Sequence, residues 1–226
     1  MLPAPDPHHT VSRQASGEYA AAYIRRLIFD GELRQDMRLP QDEVAKALGV
    51  SRIPVREAVV ALEREGWVTT SLHRGAFVNP FDEGTIRDHY ELFGLIYGLA
   101  ARRAVLRQVP ELADTLGQLA KTVSSADDPI ELQDLAITFH SSIVKAAQSP
   151  RIPVVLRAMS ALVPGPFFQL VPDAIEPARK GLAAIARAVK RGDAERASKE
   201  YGQMLDQQGE LVVELFRRRS RVYHQA

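Results

Sequence analysis

The stretch Gly49–Trp67, GVSRIPVREAVVALEREGW, contains a predicted helix whose two faces differ sharply. Ser51 is a favourable N-cap residue, and Pro54 falls in the first turn, where a missing backbone N–H costs nothing. At 100° per residue, one face of the helix is apolar and suited to packing against other helices. Arg52 and Arg56 lie on the opposite face, at the N-terminal end. A soluble helix needs a buried face, but arginines gathered at its first turn require a separate explanation.

The segments around this helix predict a winged helix-turn-helix over residues 16–80. One helix is predicted from about Ser16 to Gly31, and a short second helix over residues 41–49, QDEVAKALG. After the third helix, WVTT and AFV predict two strands around the turn SLHRG, residues 71–75. Residues 1–15 are rich in proline and polar residues, and we expect a disordered arm there.

The remaining residues, 81–226, show helical periodicity and no strand-like alternation. Proline and glycine residues separate the predicted helices. The predicted helical spans are 84–107, 110–125, 129–148, 150–163, 174–191 and 193–219. The predicted fold class is therefore mainly α, with an N-terminal winged helix-turn-helix followed by an all-helical antiparallel bundle.

Composition indicates an ordinary globular protein with no membrane segment. The chain has 226 residues, of which 46% are hydrophobic and 25% charged, and it has no cysteine, which excludes disulfides and thiolate metal sites. Its N-terminus lacks the apolar core of a signal peptide, and no apolar run reaches the roughly 18 residues of a membrane span. We expect a soluble, cytoplasmic protein.

The charge balance requires that any nucleic-acid binding depend on individually placed side chains. The net charge is +1, and residues 1–80 contain ten Lys and Arg against ten Asp and Glu. Arg52 and Arg56 nevertheless have the placement of recognition-helix residues, whose first turn enters the major groove. Arginine suits a bidentate contact with guanine and also pairs with phosphate. Arg74, beside Gly75 at the hairpin tip, is placed to reach the adjacent groove or backbone. The alternative is a solvated arginine face.

The motif LPQDEVAKALGVSRIPVREAVVALEREGWV, with HRGAFV after it, closely resembles the DNA-binding domain of GntR-family transcriptional regulators. The helical half resembles the ligand-sensing domain of their FadR subfamily, the FCD type. The resemblance implies a homodimer that binds double-stranded DNA at a palindromic operator and responds to a small-molecule effector. It places DNA contacts on Arg52 and Arg56, with Ser51 near phosphate and Gly75 in the wing. Many members have a basic or polar residue ten positions before Arg52, where this chain has Asp42.

FCD-type domains usually hold a divalent metal with one aspartate and three histidines. His140 matches the first histidine, but the other three positions fall on Ala136, Leu182 and Met204. Because a transition-metal site needs about three or four ligands, we expect no metal and no other cofactor. Two alternatives remain open: a site built from Asp134, His140 and another carboxylate, and a metal-dependent, carboxylate-sensing regulator of the usual kind.

The same cavity is predicted to have lost its charges. Phe93 and Tyr97 stand where the family commonly has arginine and glutamate. An apolar lining cannot compensate a small carboxylate for its lost hydration, so we expect a lipophilic or amphipathic effector, such as a fatty-acyl, aromatic or steroid-like compound. The predicted lining consists of Phe93, Tyr97, Ala136, His140, Leu182 and Met204. The alternatives are a filled core and an effector-independent DNA-binding protein, with His140 as a partly buried, hydrogen-bonded histidine.

An enzyme is the less favoured class of function. The sequence shows no nucleophile–base arrangement, no phosphate-binding glycine loop and no paired carboxylates at useful spacing beside His140. The favoured function is a sequence-specific transcriptional regulator, acting as a repressor, whose operator binding changes when a metabolite binds the helical domain.

Overall fold

A computed structural model describes residues 13–159 and 162–224. The described residues form two compact units. The N-terminal unit comprises residues 13–85, 162–165 and 216–224, and the helical unit comprises residues 86–159 and 166–215. Residues 1–12 of the predicted disordered arm lie outside the described residues. Residues 13–15 are helical rather than disordered, so the first helix begins three residues earlier than expected.

The N-terminal unit is a winged helix-turn-helix, as predicted. Its elements are α1 (Arg13–Phe29), α2 (Gln41–Leu48), α3 (Arg52–Arg64), β1 (Val68–Ser71) and β2 (Gly75–Val78). The two strands pair antiparallel, with Val68 opposite Val78 and Ser71 opposite Gly75. An isolated antiparallel bridge joins Arg38 to Phe77, so the segment before α2 lies along the wing.

The apolar faces of the three helices form the core of this unit. Val55 and Leu62 on α3 have no exposed surface, and neither do Ile24 and Leu27 on α1 or Val44 on α2. Full burial of such a side chain contributes about 1.5–3 kcal/mol. Because this face of α3 is committed to the core, the face that carries the two arginines is left at the surface.

Two local features set the orientation of α3. Gly49 ends α2 in the left-handed conformation, with φ 65°, and its N–H bonds back to the carbonyls at the end of that helix. At the other end of α3, Arg25 donates two hydrogen bonds of 2.9 Å to the carboxylate of Glu65. This partly buried ion pair ties α1 to the end of α3.

The helical unit is built from seven helices and a 3-10 turn at Pro172–Ala174. The helices are α4 (Glu83–Leu106), α5 (Leu112–Ser125), α6 (Pro129–Ala146), α7 (Ile152–Ala158), α8 (Phe167–Leu170), α9 (Ile175–Lys190) and α10 (Ala194–His224). The first and last of these extend into residues of the N-terminal unit. Among the described residues, no helix combines the length and apolarity needed to cross a membrane.

The predicted helix 150–163 is the largest error in the helical half. α7 ends at Ala158, and a short helix, α8, follows that was not predicted. The break comes at VPGP, where Pro164 and Pro166 lack a backbone N–H and Gly165 has φ 137°. A pattern of apolar spacing cannot show how early a helix stops before such a break.

Small residues allow α4 and α10 to approach closely. A methyl group added at Gly94 would lie 3.1 Å from the Cα of Gly202, and one added at Gly98 would lie 2.7 Å from the Oγ of Ser198. Such contacts hold α4 at a fixed distance from α10. The position of the side chains on α4 therefore depends on these glycines.

Gly98→Leu is expected to lower the free energy of unfolding by about 1–3 kcal/mol, because the added side chain overpacks the contact with Ser198. Urea unfolding followed by circular dichroism measures the change. Gly117→Leu is the matched control, since a Cβ there meets nothing within 4 Å and α5 tolerates leucine well. Equal destabilisation by both variants would contradict close packing at Gly98.

Candidate nucleic-acid interface and sensing site

The N-terminal end of α3 presents polar groups at the surface. Ser51 occupies the N-cap position with φ −72° and ψ 171°, and within the described part of the chain its side chain makes no capping bond. Ser51, Arg52 and Arg56 are all exposed. The first N–H groups of a helix carry partial positive charge and have no partner within the helix, so they suit a phosphate oxygen. The three predicted residues are therefore all accessible near the N-terminal end of α3.

Arg52 is paired with Asp42, a contact that the sequence did not predict. Its Nε lies 2.7 Å from Asp42 Oδ1, and its Nη2 donates to Oδ2 at 2.8 Å. Both side chains are 68% exposed. Asp42 is thus an ion-pair partner of Arg52.

A concavity of about 440 Å³ lies between α2, α3 and the segment that precedes α2. Its lining residues are Arg38, Leu39, Pro40, Gln41, Asp42, Glu43, Arg52 and Arg56. It brings three arginines together with two carboxylates in a chain whose net charge is only +1. Arg38 was not predicted from the sequence. Its place in the lining of the concavity depends on the bridge to Phe77 rather than on any local pattern.

The wing places its predicted residues beside this concavity. Gly75 has φ 99°, and a methyl group there would lie 3.0 Å from the Nε of Arg38. The backbone conformation therefore favours glycine, and a Cβ would also crowd the approaching guanidinium. The Arg74 guanidinium lies 5.6 Å from the centre of the Phe77 ring, which leaves its outer donors at the surface.

Glu63 ties the wing to α3. The backbone N–H of Thr70 donates to Glu63 Oε1 at 2.8 Å, and the Thr70 hydroxyl donates to the same oxygen. The hydrogen bond from the Thr70 hydroxyl, and to a smaller extent that from its backbone N–H, holds the pKa of Glu63 below its usual value. The carboxylate therefore stays ionised as an acceptor. The wing and the end of α3 are thus joined at a distance from Arg52 and Arg56.

In the helical unit, aromatic rings connect three of the predicted sensing residues. The rings of Phe93 and Tyr97 are 5.6 Å apart, and those of Tyr97 and His140 are 5.0 Å apart. His140 Nδ1 lies 3.1 Å from the hydroxyl of Tyr201, whose ring stacks on Tyr97 at 5.5 Å. His89 extends the row, with its ring 4.7 Å from that of Phe93. We call Phe93, Tyr97, His140, Tyr201 and His89 the aromatic row.

Burial keeps the aromatic row uncharged at neutral pH. It lowers the pKa of His140 to about 4 and that of His89 to about 4, and it raises the pKa of Tyr201. His89 could have been found in the sequence, because His89, Phe93 and Tyr97 are spaced by four residues on one face of α4.

The ring contacts do not include the other three predicted sensing residues. Ala136 lies one turn before His140 on α6 and is 7% exposed. Leu182 on α9 and Met204 on α10 are 1% and 3% exposed, and Met204 packs against Gly181. All three are buried, and their role in binding an effector stays a prediction.

The side chains at these positions do not suit the metal of the usual FCD-type site. Ala136 and Leu182 have no donor atom, Met204 offers only a thioether, and His140 Nδ1 already contacts Tyr201. Among the described residues, no cluster of three or more histidines and carboxylates could hold a metal ion.

A concavity of about 470 Å³ opens beside Tyr97 in the helical unit. It is lined by Tyr97, Ser141, Val144, Lys145, Gln148, Ser149, Pro153, Leu156 and Arg157. Lys145 and Arg157 are exposed cations, while Val144 and Leu156 supply apolar surface. The sequence did not predict this concavity, because its walls come from α4, α6 and α7 across a break in the helical pattern.

Acidification is expected to destabilise the protein between about pH 6.5 and pH 4. The folded state keeps His140 and His89 neutral down to about pH 4, whereas the unfolded chain binds protons below the ordinary pKa of 6.5. The unfolded state therefore binds more protons across this window, and the free energy of unfolding falls as the pH falls.

His140→Gln should make the fall in the free energy of unfolding with decreasing pH shallower. Urea unfolding from pH 7.5 to pH 4 measures this change. His73→Gln is the control, because His73 is exposed at the wing turn. If the wild type and His140→Gln lose stability in parallel with pH, burial does not keep His140 neutral.

Comparison with known proteins agrees with this arrangement. The description "Bacterial regulatory proteins, gntR family" matches residues 17–78, and "FCD domain" matches residues 88–207. An uncharacterised HTH-type transcriptional regulator of Mycobacterium tuberculosis is 30% identical over 203 residues, which cover 89% of this chain and 83% of that protein. A protein of Paenarthrobacter nicotinovorans, named "Probable D-xylose utilization operon transcriptional repressor", is 28% identical over 142 residues, 62% of each chain.

Among solved structures, Lar, which controls the expression of the Listeria monocytogenes agr system, has a TM-score of 0.61. It is 19% identical and covers 92% of this chain and 99% of its own, which shows the shared fold alone. The family matches, together with the surface arginines of α3 and the glycine-bounded wing, lead to one conclusion. This chain belongs to the GntR family of bacterial transcriptional regulators, with a GntR helix-turn-helix followed by an FCD domain.

Proposed function

We propose that the protein is a repressor that binds a palindromic operator as a homodimer and releases it when a lipophilic or amphipathic molecule binds the helical unit. The observation that carries the DNA-binding part is the convergence of Arg38, Arg52 and Arg56 around one concavity at the N-terminal end of α3. Arg74 and Gly75 extend this surface into the wing. Repression is supported by the name of the Paenarthrobacter relative.

The donors on this surface divide into two kinds. Arg52 and Arg56 project from the first turn of α3, the part of a recognition helix that meets base edges. Ser51 and the free N–H groups of that turn suit phosphate, which fixes register without reading sequence. This division supports a sequence-specific contact over a purely electrostatic one, since the chain has almost no net charge.

An exposed apolar stripe on α4 supports the homodimer. Leu92, Leu95, Leu99 and Leu106 are 50%, 64%, 40% and 64% exposed. Their spacing of three, four and seven residues places them on one side of the helix. Two copies of α4 packed side by side would cover this stripe, which a monomer leaves in water.

Charges along α4 favour an antiparallel pair. The acidic Asp88 and Glu91 precede the stripe's centre, and the basic Arg103 follows it, whereas Arg102 is already paired with Glu195 at 2.6 Å. A twofold axis near residue 97 sets each acidic end against a basic end and brings Leu95 opposite Leu99 of the partner subunit. A parallel pair would bring like charges together.

The aromatic row supports an uncharged or largely apolar effector. Its histidines and tyrosines are neutral at pH 7, and they offer hydrogen bonds without a fixed charge. The neighbouring concavity, which Tyr97 also lines, adds Lys145 and Arg157. An apolar body with one acidic group, such as a fatty or aromatic acid, fits both features better than a sugar acid.

Selection from a randomised DNA pool tests the operator part. Full-length protein should enrich one palindromic sequence, and Arg52→Ala with Arg56→Ala should abolish enrichment while the protein stays folded.

Thermal shift then tests the sensing part with metal-free protein against acyl-CoAs, fatty acids, aromatic acids, sugar acids, zinc and nickel, because a ligand of the folded state raises Tm.

The outcomes separate the three sensing hypotheses. A shift with a lipophilic compound, lost in Tyr97→Ala and kept in Arg56→Ala, together with release of the operator, supports the proposal. A shift only with zinc and a small carboxylate restores the metal-dependent mode. An operator that none of these compounds displaces indicates an effector-independent regulator.

A further inference from the structure

The Asp42–Arg52 pair occupies one edge of the arginine, and no described residue pairs with the other. The carboxylate accepts hydrogen bonds from Nε at 2.7 Å and from Nη2 at 2.8 Å, which form the side edge of the guanidinium. Arginine has five N–H donors in a fixed plane. Of the three that remain, one on Nη1 and one on Nη2 form the end edge, which points away from Asp42.

Stability does not account for the pair. Both side chains are 68% exposed, and exposed ion pairs contribute little to folding. Its position is also unfavourable for simple DNA attraction, because Asp42 and Glu43 bring two carboxylates to the concavity that holds Arg38, Arg52 and Arg56. A carboxylate there repels phosphate, so attraction to DNA does not account for the pair either.

Guanine presents two acceptors side by side in the major groove, O6 and N7, and an arginine fork fits them with two parallel hydrogen bonds. A free arginine reaches them with either edge and can equally turn to a phosphate. An arginine held along its side edge offers only the end edge, and it loses less side-chain entropy when it binds.

We propose that Asp42 determines operator specificity by holding Arg52 so that its end edge reads one guanine in each half-site. This inference rests on the proposed DNA-binding function. Asp42 touches no base in this role, so it is a positioning residue for Arg52.

Asp42→Ala should separate affinity from specificity. Affinity for unrelated DNA should rise, because a negative charge is lost and Arg52 can turn to phosphate. This additional phosphate contact should steepen the slope of log K against log salt concentration by about 0.9. Preference for guanine at one position of each half-site should fall roughly tenfold. Fluorescence anisotropy on the selected operator and its three single-base variants at that position measures both quantities.

Glu43→Gln is the matched control. It removes the neighbouring carboxylate from the same concavity without touching the Asp42–Arg52 pair. It should strengthen binding to operator and unrelated DNA alike and leave the guanine preference intact. In an Arg52→Ala background, Asp42→Ala should change no base preference, because the residue it positions is absent.

The inference is overturned if Asp42→Ala and Glu43→Gln behave alike, with equal gains on all sequences, since Asp42 would then act only as a repelling charge. It is also overturned if Asp42→Ala alters preference in the Arg52→Ala background, which would make Asp42 a direct base contact. Failure of the wild type to select any sequence would instead refute the proposed DNA-binding function.

Discussion

Arg56→Ala is expected to weaken binding to the selected operator by about 1–3 kcal/mol in each half-site and to relax one base position there. Arg56 is exposed on the first turns of α3, and within the described residues it forms no ion pair, in contrast to Arg52. Its whole guanidinium is therefore available to DNA. Truncation removes both the charge and the fork that suits guanine O6 and N7. Anisotropy titrations with operator, single-base variants and unrelated DNA measure the change.

Arg64→Ala provides the control for this variant. Arg64 lies eight residues further along the same helix, about 12 Å from Arg56 along its axis, and is also exposed. The substitution removes the same charge from the same helix, away from its N-terminal end, so operator binding should change little. If Arg56→Ala weakens all DNA equally and reduces the salt slope, Arg56 contacts phosphate rather than a base.

The DNA-binding face shows where sequence reasoning succeeds and where it stops. Helical periodicity placed Arg52 and Arg56 on the surface because burial of Val55 and Leu62 leaves the helix only one orientation. The same reasoning could not pair Asp42 with Arg52, since that contact depends on the angle that the turn at Gly49 sets between two helices.

In the helical half, spacing on one helix was informative, and contacts between helices were not. Phe93 and Tyr97 were expected to line one pocket, and their rings lie in one row, to which His89 belongs by the same four-residue spacing. Tyr201 could not be chosen as the partner of His140, because 61 residues separate them. The concavity beside Tyr97 likewise depends on where α7 lies after the turn at Ala147 and Gln148.

Leu95→Glu is expected to produce a monomer and to weaken operator binding by about a hundredfold or more. Leu95 is 64% exposed at the centre of the apolar stripe on α4. In the proposed dimer, Leu95 of each subunit lies against Leu99 of the partner subunit. The substitution therefore buries two carboxylates at the twofold axis. A monomer binds each half-site independently and loses the high effective concentration that links the second contact to the first.

Sedimentation equilibrium and operator titration on the same samples distinguish a lost dimer from a misfolded chain. Ile137→Glu introduces the same charge at a residue of α6 that is 53% exposed and lies outside the stripe, and it should leave both mass and affinity near wild type.

Reversing the charges tests the antiparallel arrangement. Glu91→Arg alone should weaken the dimer, because it sets two basic ends together, and Arg103→Glu added to it should restore part of the loss. A Leu95→Glu protein that remains a dimer and binds its operator normally would place the interface elsewhere, and the leucines of α4 would then require another partner.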